Sequence, residues 1–149
     1  MLLKQNIYSH CLLILNQKIE ELNSALATAT ESANNETKSS AGDKHETARA
    51  MMQLEQEKLS YQLKDLQEQK SELEKIDITK PSSQIAKGTL IQSDKGFLFL
   101  SIGLGKIVVD DKTVFAISPQ SPLGLKLLGK KENDLVEMNG VKYTIEKLF

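Results

Sequence analysis

The chain has 149 residues, 40% of them hydrophobic and 26% charged, and its formal net charge is −1. This near-neutral balance excludes a polycation that coats nucleic acid, and the single cysteine, Cys11, excludes an intrachain disulfide and a thiolate zinc cluster. No apolar run approaches the roughly 20 residues that span a membrane, and the interrupted N-terminal segment lacks the apolar core of a signal peptide. We therefore expect a cytoplasmic protein with no membrane association.

Charge is divided unevenly along the chain. Residues 1–79 carry 9 basic and 13 acidic residues, whereas residues 80–149 carry 10 basic and 7 acidic residues. The two halves thus have net charges of −4 and +3. A chain of this length holds one ordinary domain or two small ones, and the opposite charges favour two modules.

The first half has the apolar periodicity of two helices. Apolar residues recur at helical spacing, first at Ile7, Cys11, Leu15, Ile19, Leu22, Leu26 and Ala29, and then at Ala48, Met52, Leu59, Leu63, Leu66 and Leu73. This spacing is typical of a coiled coil. The polar segment "TESANNETKSSAGD" between the two series predicts a turn. We expect residues 1–78 to form an antiparallel coiled-coil hairpin of two helices, with its tip near residues 38–47.

The second half has the two-residue periodicity of strands. A linker at 79–86 contains Pro81, which ends the preceding helix. Three short turns, "SDKG", "DK" and Asn139-Gly140, are each flanked by apolar segments and predict three β-hairpins. The segment "SPLGLKLLGKK" predicts a short helix that ends near Gly129. Residues 87–149 are expected to form a small antiparallel β domain with one short helix, which makes the whole chain α+β.

The sequence carries no signature of an independent enzyme. It has no nucleophile elbow and no phosphate-binding loop. The two glycines of "SIGLGKI" are not a dinucleotide fingerprint, because no helix is predicted after them, and they indicate a bend or bulge instead. At the predicted tip, however, Asp43 and Glu46 lie three residues apart at the start of the second helix. They form a capping-box pattern. Two carboxylates on one helix face also suit a divalent cation whose remaining ligands come from a partner, and both roles stay open.

Two segments resemble a known family. The tip and second helix, "GDKHETARAMMQLEQEKLSYQLKDLQ", resemble the segment that begins G-D-L-S-E-N-A-E-Y in the Gre family of bacterial transcript-cleavage factors. The segment "ISPQSPLGLKLLGKKENDLVEMNGVKYTIEKL" is similar to the C-terminal block of the same family, and it is the more specific of the two. Their spacing also agrees with a helical hairpin of about 75 residues followed by a compact sheet domain.

The resemblance implies a C-terminal domain of FKBP-like fold that docks on the rim of the secondary channel of bacterial RNA polymerase. It implies that the coiled coil enters this channel and reaches the 3′ end of a backtracked transcript. By motif position, Asp43 and Glu46 match the family's tip acids, which help to hold a Mg²⁺ ion shared with the polymerase. The polymerase itself then cleaves the RNA, so the factor is not an enzyme and has no cofactor of its own. We expect it to be a monomer.

The resemblance is densest in the short predicted helix, where the expected polymerase-binding residues are Ser121, Pro122, Leu123, Gly124, Leu128, Gly129 and Lys130. Core packing is the alternative role of Leu123, Leu127 and Leu128. Near the tip, Lys38, Lys44 and Arg49 either face the RNA phosphates or are ordinary surface charges.

Three other functions stay open. The residues Lys44, His45 and Thr47 differ from the Gre pattern, which allows a factor that binds the polymerase channel and modulates it without cleavage. A second interpretation, from a different functional class, is a coiled-coil adaptor or dimerisation protein. A peptidyl-prolyl isomerase is the least favoured, because the second half lacks an aromatic-lined proline pocket.

Overall fold

The structure is a computed structural model that describes residues 1–37 and 42–149. Two long helices come first, and a six-stranded sheet with one short helix follows, so the predicted α+β class is confirmed. The helices are α1 (Leu2–Thr37), α2 (Gly42–Glu74) and α3 (Pro122–Leu127). The strands are β1 (Leu90–Ser93), β2 (Gly96–Leu100), β3 (Gly105–Val109), β4 (Lys112–Ile117), β5 (Leu135–Met138) and β6 (Val141–Leu148).

The chain divides into two compact units. The helical unit comprises Ile14–Lys70, which is most of α1 and α2. The sheet unit comprises Met1–Leu13 together with Ser71–Phe149. The first turns of α1 and the last turn of α2 therefore belong with the sheet.

The helical unit is held together by a seam of alternating three- and four-residue spacings. The seam positions that are buried or half-buried are Leu15, Ile19, Leu22, Leu26 and Ala29 in α1, and Met52, Gln56, Leu59, Leu63 and Leu66 in α2. Gln56 Nε2 donates to Thr30 Oγ1 at 3.3 Å, while Leu22 and Leu66 border one groove. The later residue of α1, Thr30, thus meets the earlier residue of α2, Gln56, and the earlier Leu22 lies near the later Leu66. The two helices therefore run antiparallel. No helix in the described ranges has both the length and the hydrophobicity to cross a bilayer.

The sheet unit contains the three hairpins that the turn residues predict. β1 pairs with β2, β3 with β4, and β5 with β6, each antiparallel. The second hairpin turns at Asp110 and Asp111, with φ of 51° and 63°, and the third at Asn139 and Gly140, with φ of 51° and 79°. Two consecutive residues with positive φ match the twist of the flanking strands. The three hairpins are therefore confirmed, but the second turns at Asp110-Asp111, one residue earlier than the predicted Asp111-Lys112.

The sheet is mixed, so the prediction of an all-antiparallel sheet is wrong. The strand order is β3-β4-β2-β1-β6-β5, and β4 runs parallel to β2. The hairpin of β3 and β4 places β4 inward, where Val114 and Ala116 are buried, and leaves β3 at the edge with exposed Lys106 and Val108. β4, the member of the hairpin with the more deeply buried residues, is therefore the strand that joins β2, and the two strands run parallel.

The first turns of α1 are anchored to the rest of the sheet unit by polar contacts. The buried side chain of Lys4 donates from Nζ to the backbone oxygens of Lys80 at 3.3 Å and Phe149 at 3.0 Å. Burial lowers the pKa of Lys4, with the charge of Asp77 acting in the opposite direction. Asn6 Nδ2 donates to Asp110 Oδ2 at 2.8 Å, at the tip of the second hairpin. These bonds fix the start of α1 against the linker, β6 and the β3–β4 turn.

The last turn of α2 is tied to the segment before β1. The Lys87 ammonium donates to the Glu72 carboxylate, and the hydrogen bond from Lys87 holds the pKa of Glu72 below its usual value, with Lys75 adding to the effect. Gly88 lies against Ile76, with φ of +97° and its ideal Cβ position 2.6 Å from Ile76 Cγ2. Glycine at this position therefore lets the segment before β1 pack closely against Ile76, just after the end of α2.

Cys11 is expected to be chemically inert in the folded protein. Its side chain is fully buried, and burial raises the pKa of the thiol to about 11. Because the thiolate is the reactive form, we expect alkylation at pH 8 to be slower than that of an exposed cysteine by about a hundredfold or more. A time course with a maleimide, with and without urea, measures this difference. Rapid labelling without urea would contradict the burial of Cys11.

Candidate functional site

The predicted tip acids fall within the first turns of α2. The helix begins at Gly42 and includes both Asp43 and Glu46. The Glu46 and Arg49 side chains are exposed. Two acids three residues apart in a helix share a face, and the joint role of Asp43 and Glu46 stays a prediction. Lys38 and the side chains of Asp43 and Lys44 lie outside the described residues.

Two carboxylates at the tip would be only a partial donor set for a cation. In residues 1–37 and 42–149, the side chains that the structure describes contain no group of three or more His, Cys, Asp or Glu able to hold a metal ion. Carboxylate oxygens are the ligands that Mg²⁺ prefers, but the ion takes six of them. Two acids would fill only part of that shell, and an ion bound by them would need further ligands from a partner or from water.

The second candidate site is α3 and the residues after it. Ser121 is the N-cap residue and Pro122 the first helical residue, an order that suits a helix start. Ser121 Oγ accepts from the Gly124 N–H at 3.1 Å and donates to the Ser118 carbonyl at 2.7 Å. One hydroxyl therefore both caps α3 and binds the loop that precedes it.

Replacing Ser121 with alanine is expected to lower the free energy of unfolding of the sheet unit by about 1 kcal/mol. Alanine leaves the Gly124 N–H and the Ser118 carbonyl without this partner, whereas threonine keeps both hydrogen bonds. Urea denaturation, followed by the NMR signals of sheet residues, measures the change. The prediction fails if Ser121→Ala and Ser121→Thr have the same stability.

The seven predicted docking residues divide into buried and exposed sets. Leu123 packs against the hydrophobic core and Gly124 is buried, so these two support the surface from beneath. Leu128 is 39% exposed, and the suggestion that it packs in the core is wrong. Gly129, with φ of +81°, and Lys130 are also exposed, as is Pro122, while Ser121 is half-buried.

Two further leucines are exposed near these residues, and the sequence did not predict their exposure. Leu125 is 62% exposed and Leu135 is 57% exposed. Together with Leu128 they border a groove of about 370 Å³, which Lys126 and Lys130 also line. The apolar pattern of "LGLKLLGKK" and "DLVEM" signals only that some leucines are buried. Which of them face outward depends on the packing of α3 against β5.

Comparisons with known proteins give no relative. No protein-family model, no curated protein and no solved structure matches this chain. The likeness to the Gre family therefore depends on the two quoted segments, and the function that it implies is a proposal.

Proposed function

We propose that this protein is a Gre-like transcription elongation factor, located in the cytoplasm, that binds the secondary channel of bacterial RNA polymerase and stimulates cleavage of backtracked transcripts. One observation carries the proposal. The D-x-x-E pair, Asp43 and Glu46, lies in the first turns of the second of two antiparallel helices. An acidic pair at the end of a helical hairpin is suited to reach a recessed site.

The tip residues contribute ligands and charge, and the polymerase contributes the remainder of the site. Asp43 and Glu46 would hold a Mg²⁺ ion shared with the polymerase and orient its water. When bound, the ion neutralises phosphate charge and lowers the pKa of that water. Arg49, which is exposed on the same helix, and Lys38 and Lys44 would attract the phosphates of the transcript.

The sheet unit would supply the docking surface on the channel rim. The exposed residues Leu128, Gly129 and Lys130 follow α3, and Pro122 begins it. Exposed apolar side chains beside lysines form an interface that combines buried area with charge pairing. The rigid cap at Ser121 would hold this surface in one conformation before binding.

A second candidate function is inhibition or modulation of the polymerase without cleavage. Met51 and Leu54, which follow the tip acids in α2, are 66% and 65% exposed. Large apolar side chains at these positions offer contact with a channel wall that does not depend on the two carboxylates. A factor that relied on them would occupy the channel and exclude other ligands.

The test uses a stalled, backtracked elongation complex from the cognate polymerase and the full-length protein. Release of short 3′ RNA fragments, faster with the protein than with polymerase alone, supports the proposed function. Binding without release, detected by competition with another channel-binding factor, supports modulation. If the protein neither binds the polymerase nor changes the cleavage rate, the proposal is wrong and an adaptor or dimerisation role takes its place.

A further inference from the structure

β5 is an edge strand of the sheet, and its outward backbone groups follow from the pairing register. β6 lies on one side of β5, and the described part of the chain has no strand on the other side. The pair Met138 and Val141 closes the two-residue turn at Asn139-Gly140, and the closing pair of such a turn is a hydrogen-bonded pair. In an antiparallel hairpin, hydrogen-bonded pairs alternate with pairs whose N–H and C=O groups point away. The outward positions of β5 are therefore Glu137 and Leu135.

Two observed contacts support this assignment. Thr144, which lies opposite Leu135, directs its backbone away from β5, since its N–H donates to Asp94 Oδ1 at 2.8 Å and its carbonyl accepts from the Asp94 N–H at 3.2 Å. The Glu137 carbonyl accepts from Lys126 Nζ at 2.9 Å, which places this carbonyl on the outer side. The edge thus presents the N–H and C=O of Leu135 and the N–H of Glu137, with the Glu137 carbonyl held by a lysine.

The surface beside this edge combines apolar and basic side chains. Leu125 and Leu128 come from α3 and its end, Leu135 comes from β5, and all three are exposed. Lys126, Lys130 and Glu137 line the same groove, so two basic side chains stand against one acidic side chain. A strand added next to β5 would direct alternate side chains to opposite faces of the sheet. It would thereby reach the α3 leucines and lysines on one face and Leu135 on the other.

We propose that the edge of β5 binds an extended, acidic peptide segment of a partner protein, which pairs with the sheet as a seventh strand. Backbone hydrogen bonds at Leu135 and Glu137 hold the segment, carboxylates on the α3 face contact Lys126 and Lys130, and apolar side chains on the opposite face contact Leu135. This inference goes beyond the proposed function, because it concerns the sheet unit alone and holds whether or not the partner is a polymerase.

Charge decides between this occupant and a second copy of the chain. Lysines placed at a strand edge oppose pairing between identical edges. Two copies joined through β5 would bring Lys126 and Lys130 of each close to those of the other, and like charges repel. An acidic strand instead offers a carboxylate for Lys126. Replacing the hydrogen bond from Lys126 to the Glu137 carbonyl by one to this carboxylate costs little free energy, because the existing bond is exposed to water.

The probe is a synthetic peptide of about ten residues in which valine and glutamate alternate, added to the full chain labelled with ¹⁵N. We expect saturable shifts at the Leu135 and Glu137 amides and slower hydrogen exchange there, by about tenfold or more. A valine–lysine peptide of equal length should bind at least about tenfold more weakly. The result does not depend on transcript cleavage, so either proposal can fail while the other stands.

Methylation of the backbone nitrogens of the peptide distinguishes strand pairing from other modes of binding. Methylation of every valine nitrogen removes the donors on one edge of the peptide, and methylation of every glutamate nitrogen removes those on the other edge. One methylated form should lose binding and the other should keep it. Equal binding of both forms, loss of both, or shifts at the Lys106 and Val108 amides of the opposite edge would each overturn the proposal.

Variants of the protein give the matched control. Leu135→Glu places a like charge on the β5 edge and should weaken peptide binding by about tenfold. Val108→Glu makes the equivalent change at an exposed position of β3, on the other edge, and should leave the affinity unchanged. Equal effects from the two variants would contradict the site. If the free chain dimerises and the Leu135 and Glu137 amides exchange hydrogen slowly in the dimer, the edge of β5 binds a second copy of the chain and the acidic-peptide proposal is wrong.

Discussion

Replacing Gly124 with alanine is expected to destabilise the sheet unit by about 3 kcal/mol. An ideal Cβ at this position would lie 2.0 Å from the Ser118 carbonyl oxygen and 3.0 Å from Pro119 Cα. Both are backbone contacts, so no side chain can rotate to relieve them. α3 would have to move away from the Ser118 carbonyl, which would break the Ser121 cap and displace Leu127 from the core. Urea denaturation, followed by the NMR signals of the sheet residues, measures the loss.

The matched control is Gly129→Ala, five residues further on. Gly129 has no heavy atom within 4 Å of an ideal Cβ, but its φ is +81°. Alanine there meets no steric obstacle, and the left-handed conformation costs about 1 kcal/mol. The same substitution therefore tests contact at one position and backbone conformation at the other. If Gly124→Ala costs no more than Gly129→Ala, α3 is not packed as closely as the structure shows.

Local sequence signals were sufficient to predict the elements of the fold. The heptad spacing of Met52, Leu59 and Leu66 predicts a helical seam, and these residues are half-buried or buried in α2. The Asn139-Gly140 pair predicts its hairpin because these residues tolerate positive φ. Both signals depend on neighbours within a few residues, so periodicity and turn chemistry reveal them.

Contacts between distant residues were not predictable in the same way. The parallel pairing of β2 with β4 depends on which strand of a hairpin is buried deeper, and several apolar strands compete for that position. The first turns of α1, which belong to the sheet unit, include the buried Lys4, a residue type that is usually exposed. Nothing near Lys4 in the sequence indicates partners 76 and 145 positions away.

The short helix that carries the candidate docking residues was predicted in position, but the exposure of its side chains was not. The cap pattern Ser121-Pro122 and the positive φ of Gly129 are local, and the structure contains both. The exposure of Leu125 and Leu135 depends on how a six-residue helix lies against an edge strand. Leucine is more often buried than exposed, and its identity gives no sign of the difference. The edge of β5 is likewise defined by strand order, which the sequence does not state.

The double substitution Asp43→Ala/Glu46→Ala is expected to lower stimulated transcript cleavage by about a hundredfold or more, with polymerase binding retained. If the two carboxylates position a shared Mg²⁺ ion, their loss removes stabilisation of several kcal/mol from the transition state. These substitutions leave the proposed docking surface on the sheet unit unchanged. Fragment release from a backtracked complex measures cleavage, and competition with another channel-binding factor measures binding.

The control for this variant comes from the same helix. Asp65 and Glu68 repeat the D-x-x-E spacing within α2, and both side chains are exposed. Asp65→Ala/Glu68→Ala removes the same charge at the same spacing, away from the tip, and should leave cleavage unchanged. Loss of the start of α2 would lower the helix content of the tip variant, which circular dichroism reports. Because a cap contributes only about 1 kcal/mol, full cleavage by the tip variant would reduce Asp43 and Glu46 to a helix cap. Equal loss in both variants would show that acidic charge along α2, and not the placement of an ion, controls the reaction.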